Sequence, residues 1–258
     1  MLPVPALSTD RLRWPRHVAA AAALAVLAGC AAPIPGGVSD PYEVQNRGVH
    51  DFNVALDRAL VRPAATSYGR VVPDPVRTAF SNFSANLSLP GKVLNSLLQL
   101  RPGDAAQNTT RFFVNTTIGL GGLLDPATPM GAPEIDTDFG ETLHVWGVAE
   151  GNYVELPFLG PSTGRDTLGA VVDLAINPLG HLPRADQRET ATGLRVLSGL
   201  GARYDRSELI DSILYDSADS YAQTRQTYLQ NRRFQLGRGA TPDYFDPYED
   251  PYADPDAQ

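Results

Sequence analysis

Three sets of residues in this chain could do chemistry: a serine in a glycine-flanked pentapeptide, scattered histidines, and a single cysteine. Gly160-Pro161-Ser162-Thr163-Gly164 matches G-x-S-x-G, the strained strand-to-helix turn that presents a nucleophilic serine in hydrolases. It lies between a strand-like run and a helical one, as that turn requires. Such enzymes continue with an acid and then a histidine, carried on further strands. Here the only histidine after Ser162 is His181, nineteen residues on, and the residues between read as helix. No alternating strand-helix pattern follows that could build a parallel sheet. A plainer reading makes Thr163 a helix cap, with Asp166 three positions later as the carboxylate of a capping box. An esterase acting through Ser162 is the alternative function to be tested. His50, His144 and His181 are far apart and none stands four residues from another, so no metal site is expected. The C-terminal carboxylates lack the glycine-turned spacing of a calcium loop. Gly119-Leu120-Gly121-Gly122 lacks the Lys-Ser/Thr of a phosphate loop. The sequence therefore predicts no catalytic residue, no metal and no cofactor.

The cysteine has another chemistry. Cys30 is the only one in the chain, so no intramolecular disulfide can form. Arg11, Arg13 and Arg16 precede an apolar run from Val18 to Ala28, which leads into Leu27-Ala28-Gly29-Cys30. Basic, apolar and small-residue zones in that order are the pattern of a secretory signal. The apolar run is about eleven residues, against roughly 20 needed to span a bilayer. The tetrapeptide resembles the lipobox of bacterial lipoproteins, in which the thiol is alkylated with diacylglycerol and the new amino terminus is acylated. The expectation is a signal peptide over residues 1–29 and lipid attachment at Cys30. Ala31 follows; an aspartate there favours inner-membrane retention in enteric lipoproteins, so outer-membrane sorting is expected. Cleavage removes three arginines and one aspartate and takes the formal charge from −8 to −10, which argues against nucleic acid as a partner.

The composition divides the remainder. Residues 30–41 form the lipidated cysteine and a small, proline- and glycine-rich tether. Residues 42–236 carry the fold. Residues 237–258 form an acidic tail whose last eighteen residues hold six acids, four prolines and no base, a composition expected to be disordered.

Within the fold the period is mostly helical. Val49, Phe52, Leu56 and Leu60 mark a helix expected to stop near Arg62-Pro63. Asp74-Pro75 reads as an N-cap and first-turn proline, leading into Ala79, Phe80, Phe83 and Leu87. Pro90 is expected to open a separate short helix with Val93, Leu94, Leu97 and Leu98 on one side. Asp104 is expected to cap the next helix. Two β-prone runs within Leu143–Phe158 flank Ala149-Glu150-Gly151-Asn152, which predicts a hairpin turning there. Helices resume at about 164–176, 185–200 and 205–234, the last reaching on the order of 45 Å at ~1.5 Å per residue. Phe80, Phe83, Phe112, Phe113, Ile118, Leu120, Leu123 and Leu124 read, from pattern alone, as an ordinary core in preference to a membrane-contacting surface.

One resemblance covers roughly Asp40 to Gln235. It rests on ordered segments: Asp40-Pro41-Tyr42-Glu43, Asn46-Arg47, Phe52-Asn53, Arg62-Pro63, Asn82-Phe83 and Asn86-Leu87. It continues through Val93-Leu94-Asn95-Ser96-Leu97-Leu98-Gln99, Arg111-Phe112-Phe113-Val114-Asn115-Thr116-Thr117-Ile118-Gly119 and Gly121-Gly122-Leu123-Leu124-Asp125. Asp138-Phe139-Gly140, Leu143, Trp146-Gly147-Val148, Tyr153-Val154-Glu155-Leu156-Pro157, Leu159-Gly160-Pro161-Ser162, Arg165-Asp166, Tyr221, Arg225 and Tyr228-Leu229-Gln230 complete it. In these segments the chain resembles the MlaA (VacJ) family of outer-membrane phospholipid-transport lipoproteins.

The resemblance implies a mainly α fold, a compact ring-like bundle of amphipathic helices with one short β-hairpin and disordered termini. It implies a non-enzymatic protein in the inner leaflet of the outer membrane, apolar outside, with a water-accessible amphipathic channel at its centre. Phospholipid misplaced in the outer leaflet would enter that channel and pass to a soluble periplasmic phospholipid carrier (MlaC-like), maintaining lipid asymmetry. A trimeric outer-membrane porin is the further implied partner. Gly147 and Gly151 match positions in a flexible loop beside the channel and are the implied hinges. Ala149, Glu150 and Asn152 depart from the Gly- and Pro-rich composition common at those loop positions.

Overall fold

The computed structural model describes residues 39–176 and 185–237. The expected signal peptide (residues 1–29), Cys30, His181 and residues 238–258, which hold most of the expected tail, lie outside the described residues. Helix α1 runs Glu43–Leu56 and continues through a π-helical turn, Asp57–Val61, into α2, Arg62–Val71. The expected stop at Arg62-Pro63 is therefore wrong. A proline ring collides with the carbonyl four residues back in an α-helix. Here the turn before it is widened, and the Arg62 N–H donates five residues back to the Asp57 carbonyl. The carboxylate of Asp57, in this turn, accepts from Arg203 at 2.9 and 2.8 Å and from the Tyr215 hydroxyl at 2.6 Å.

Helix α3 is a single element, Asp74–Leu98, with Pro90 inside it, so Pro90 opens no helix of its own. Its N-cap is Pro73, and Asp74 is already helical. Packing against α4 (Pro102–Thr117) and α7 (Ala185–Asp205) carries α3 through the proline. Arg101, not Asp104, precedes the first residue of α4. Helix α5 is Phe139–Val145, N-capped by the Asp138 side chain, which accepts from the Glu141 N–H at 2.7 Å.

The hairpin exists but lies later than expected. Strands β1 (Tyr153–Leu156) and β2 (Gly160–Thr163) pair antiparallel, Tyr153 opposite Thr163 and Leu156 opposite Gly160. The turn is Pro157-Phe158-Leu159, and the residues read as the first strand belong to α5 and the loop after it. Helix α6 is Gly164–Ile176, and the Thr163 hydroxyl accepts from the Asp166 N–H at 3.2 Å, the cap read from sequence. The long final helix is two, α8 (Ser207–Leu214) and α9 (Ser220–Leu236); Asp219 caps the second through the Ala222 N–H.

Polar residues occupy the interior. Among the described residues the fully buried side chains include His50, Asn95, Asn108, Thr142 and Thr163, while much of the buried apolar set is alanine. The predicted ordinary core is absent: Phe113, Ile118, Leu120 and Leu124 are exposed, and Phe80, Phe83, Phe112 and Leu123 are only half-buried. Helix α4 shows why. Asn108, Arg111 and Asn115 recur at helical spacing and face inward, where each meets the segment 125–135. Asn108 exchanges two hydrogen bonds with the Ile135 backbone at 2.9 and 3.1 Å. Arg111 donates to Asp125 at 2.6 Å, Thr128 at 2.7 Å and the Ala132 carbonyl at 3.0 Å. Asn115 bonds Asp125 and the Ala127 N–H. A buried polar group is tolerable only when paired, and these are paired. On the outward side of the same helix Phe113 is exposed.

Candidate functional site

The hairpin, α3, α6, α7 and α9 encircle a cavity of about 660 Å³. Its wall is mixed: Leu156, Leu159, Ala170, Leu174 and Ile176 on one part, Lys92, Asp138, Asp166, Asp173, Arg195 and Arg232 on another. A second, more polar chamber of about 330 Å³ shares Thr137, Asp138, Arg232 and Gln235 with the first, so the two adjoin.

Close backbone approach holds the charged wall in place. A Cβ on Gly169 of α6 would stand 2.4 Å from the Gly140 nitrogen, and one on Gly140 would stand 2.7 Å from the Asp166 carboxylate. Only glycine at both positions lets α5 and α6 touch there. Arg232 of α9 then donates to Asp138 at 2.7 and 2.9 Å and to Asp166 at 3.1 Å through two nitrogens. Asp166 also accepts from the Tyr228 hydroxyl at 2.8 Å and from Arg165 at 3.2 Å. Burial alone would raise the Asp166 pKa, but the Arg232 hydrogen bonds and charge, with Arg165 and Tyr228, outweigh it and hold the carboxyl below its usual value. Lys92 lies between Glu134 and Asp136. Burial opposes its charge, and the two carboxylates prevail and raise its pKa.

A hydrogen-bond chain supports the same wall from behind. Gln99 donates to Thr137 and Thr142, Thr142 to Asn95, and Asn95 to Asp173, whose other oxygen accepts from the Phe139 N–H at 2.9 Å. Three helices are fixed through side chains that carry no net charge until Asp173.

Ser162 lines the cavity but is nearly buried, and its hydroxyl is engaged with Thr167 at 2.9 Å and the Thr163 carbonyl. No described histidine reaches it: His50 bonds Glu155 and Ser220, and His144 faces Arg165. Burial and the adjacent Arg165 charge lower the His144 pKa. His50 instead belongs to a structural knot in which Glu155 also accepts from the Tyr153 hydroxyl at 2.5 Å. Among the described residues no cluster of three His, Cys, Asp or Glu could hold a metal ion. None of the described helices is long and apolar enough to cross a membrane.

Gly147 and Gly151 both have positive φ, +85° and +75°. Gly147 closes α5: its N–H donates to His144 and the Val148 N–H to Leu143, the paired bonds of a Schellman motif. The segment after it is tied by Arg165 N–H to the Glu150 carbonyl and by an ion pair from Glu150 to Arg233 at 2.9 Å.

A model of the family described as "MlaA lipoprotein" matches residues 38–235. The chain belongs to the MlaA lipoprotein family. It is 36% identical over 225 residues to the intermembrane phospholipid transport system lipoprotein MlaA of Escherichia coli (strain K12), covering 83% of this chain and 86% of that one. The MlaA of Haemophilus influenzae is 32% identical, with 78% and 80% covered. A solved structure reported as "Structural basis for maintenance of bacterial outer membrane lipid asymmetry" superposes with a TM-score of 0.64 at 34% identity, covering 77% of this chain and 99% of that one. The names of these MlaA relatives describe a transport lipoprotein and not an enzyme.

Ser162 is nearly buried and its hydroxyl is engaged, and among the described residues no histidine stands beside it to activate it as an esterase would require. Lys92, Asp138, Arg195 and Arg232 were not singled out from the sequence. Lys92 and Arg195 interrupt apolar helical runs, whereas Asp138 and Arg232 stand among polar neighbours and carry no such local signal.

Proposed function

We propose that this MlaA-family chain is an outer-membrane lipoprotein, held by acyl chains on Cys30, that removes mislocalised phospholipid from the outer leaflet. The lipid passes through the amphipathic cavity to a periplasmic phospholipid carrier, with a trimeric porin as neighbour in the membrane. The observation that carries this reading is the inverted distribution of polarity: apolar side chains outward, polar ones inward, around a cavity with both kinds of wall. Carrying an ionised headgroup through hydrocarbon is costly. A polar-lined bore gives it a hydrated path while the tails keep apolar company. Exposed Phe158 and Leu159 at the hairpin turn and Leu174 beside the cavity suit acyl chains on the outside. Gly147 and Gly151 act as hinges that let the Val148–Asn152 loop shift beside the cavity.

The test is an outer-membrane asymmetry assay. Deleting the gene should increase outer-leaflet phospholipid, read as detergent sensitivity and lipid A palmitoylation, and both wild type and Ser162→Ala should restore it. Unchanged asymmetry in the deletion strain would refute the transport reading, and failure of Ser162→Ala alone, at normal abundance, would revive the esterase.

A further inference from the structure

The charges lining the cavity are unequally partnered. Lys92 is shared between two carboxylates, and so is Arg232. Arg195, reaching the cavity from α7, has no ion-pair or hydrogen-bond partner among the described residues. Asp173, on α6, accepts from an amide and a backbone N–H but faces no cation there. Desolvation lowers the Arg195 pKa with no opposing carboxylate. A half-buried guanidinium left unpaired is unfavourable for the fold, and such a group is stabilised when an anion arrives. Guanidinium is also the side chain whose planar fork matches a phosphate.

We propose that Arg195 and Asp173 form the headgroup site of the cavity, Arg195 binding the phosphodiester and Asp173 the ammonium of a zwitterionic headgroup. This rests on the transport reading. The site takes a phospholipid bearing a phosphate and a primary or quaternary amine in preference to one bearing phosphate alone. The paired charges, Lys92 and Arg232, are already satisfied and shape the wall. The acyl chains lie along Leu159 and Leu174. Asp173 is held by Asn95 and Phe139, so its carboxylate is oriented before any ligand arrives.

The full chain, purified in detergent, is equilibrated with mixed micelles containing equal phosphatidylethanolamine and phosphatidylglycerol, and retained lipid is counted by native mass spectrometry. Wild type should retain the ethanolamine lipid preferentially. Arg195→Gln should reduce retention of both lipids about tenfold, the scale of one charge-assisted contact, and Arg195→Lys should recover part of it. Asp173→Asn should lower retention of the ethanolamine lipid to about that of the glycerol lipid, bringing the preference close to one. The thermal midpoint of Arg195→Gln should equal or exceed wild type, because no ion pair among the described residues is lost. Glycerophosphoethanolamine, which has no acyl chains, should compete poorly; equal competition would assign the site to a soluble phosphodiester and overturn the lipid assignment. Equal retention by Arg195→Gln, a lowered midpoint in that variant, or an unchanged preference in Asp173→Asn would each overturn the headgroup site while leaving transport standing. A wild-type chain that retains neither lipid would overturn the transport reading as well.

Discussion

Replacing Arg232 with Met keeps most of the side-chain volume and removes one cation from between two carboxylates. Its side chain is 10% exposed, that of Asp166 8% and that of Asp138 45%. Asp138 can rehydrate, so the cost falls on Asp166. Breaking a buried pair by removing one partner destabilises by about 3–5 kcal/mol. Asp166 keeps Arg165 and the Tyr228 hydroxyl, which places the expectation at the lower end, about 3 kcal/mol. In a fold of this size that lowers the thermal midpoint by roughly 6–12 °C. The pH dependence identifies the cause. In the wild type the Asp166 pKa lies below its ordinary value of 3.8, so its stabilisation is fully present above that value and is lost as pH falls through the folded pKa. In Arg232→Met the same carboxyl is raised, so its ionisation destabilises the fold at neutral pH and the penalty fades as pH falls. The two midpoints should differ most near about pH 7 and converge only as pH falls below 3.8 through the folded wild-type pKa. Thermal unfolding followed by circular dichroism in detergent checks this, with Arg232→Met/Asp166→Asn recovering part of the loss. A difference below about 1 kcal/mol, or one that is constant with pH, refutes the argument.

Gly169→Ala should destabilise by at least about 2 kcal/mol, because its Cβ meets the Gly140 backbone nitrogen at 2.4 Å and backbone cannot swing aside; reduced protein abundance and a lowered midpoint would show it. Gly147→Ala has open space but a left-handed backbone, so it should lose only about 1–2 kcal/mol. If the loop is a hinge, that variant at normal abundance should still alter outer-leaflet phospholipid, and normal asymmetry would argue against hinging. Cys30→Ala should leave the protein unacylated and absent from the membrane fraction, since two acyl chains anchor stably where one does not; membrane retention in fractionation would sink the lipobox reading.

Helical class and the cap at Thr163 were legible because they rest on local chemistry, a hydroxyl before a helix and apolar residues at three- and four-residue steps. Two boundaries were misread for one reason: proline was taken as a helix limit where the surrounding structure overrode it. Pro63 is preceded by a π turn, and Pro90 lies inside a helix packed by its neighbours. The inward-facing polar residues were not legible. Asn108, Arg111 and Asn115 recur at helical spacing, the pattern of a water-exposed stripe, yet they face inward. Periodicity reports that a helix has two faces and not which of them meets water.

The inverted interior also changes how this fold should respond to heat and denaturant. Unfolding in water raises the heat capacity in proportion to newly exposed apolar area and lowers it for polar area. Here much of the apolar area is already outside in the native chain, and the newly exposed groups are largely amides, hydroxyls and guanidinia such as Asn95, Thr142 and Arg111. The stability curve should therefore be flatter than that of a water-soluble domain of equal length, and its urea dependence shallower. Resistance to unfolding would then vary less with temperature than with the detergent or lipid that covers Phe113, Leu120 and Leu174.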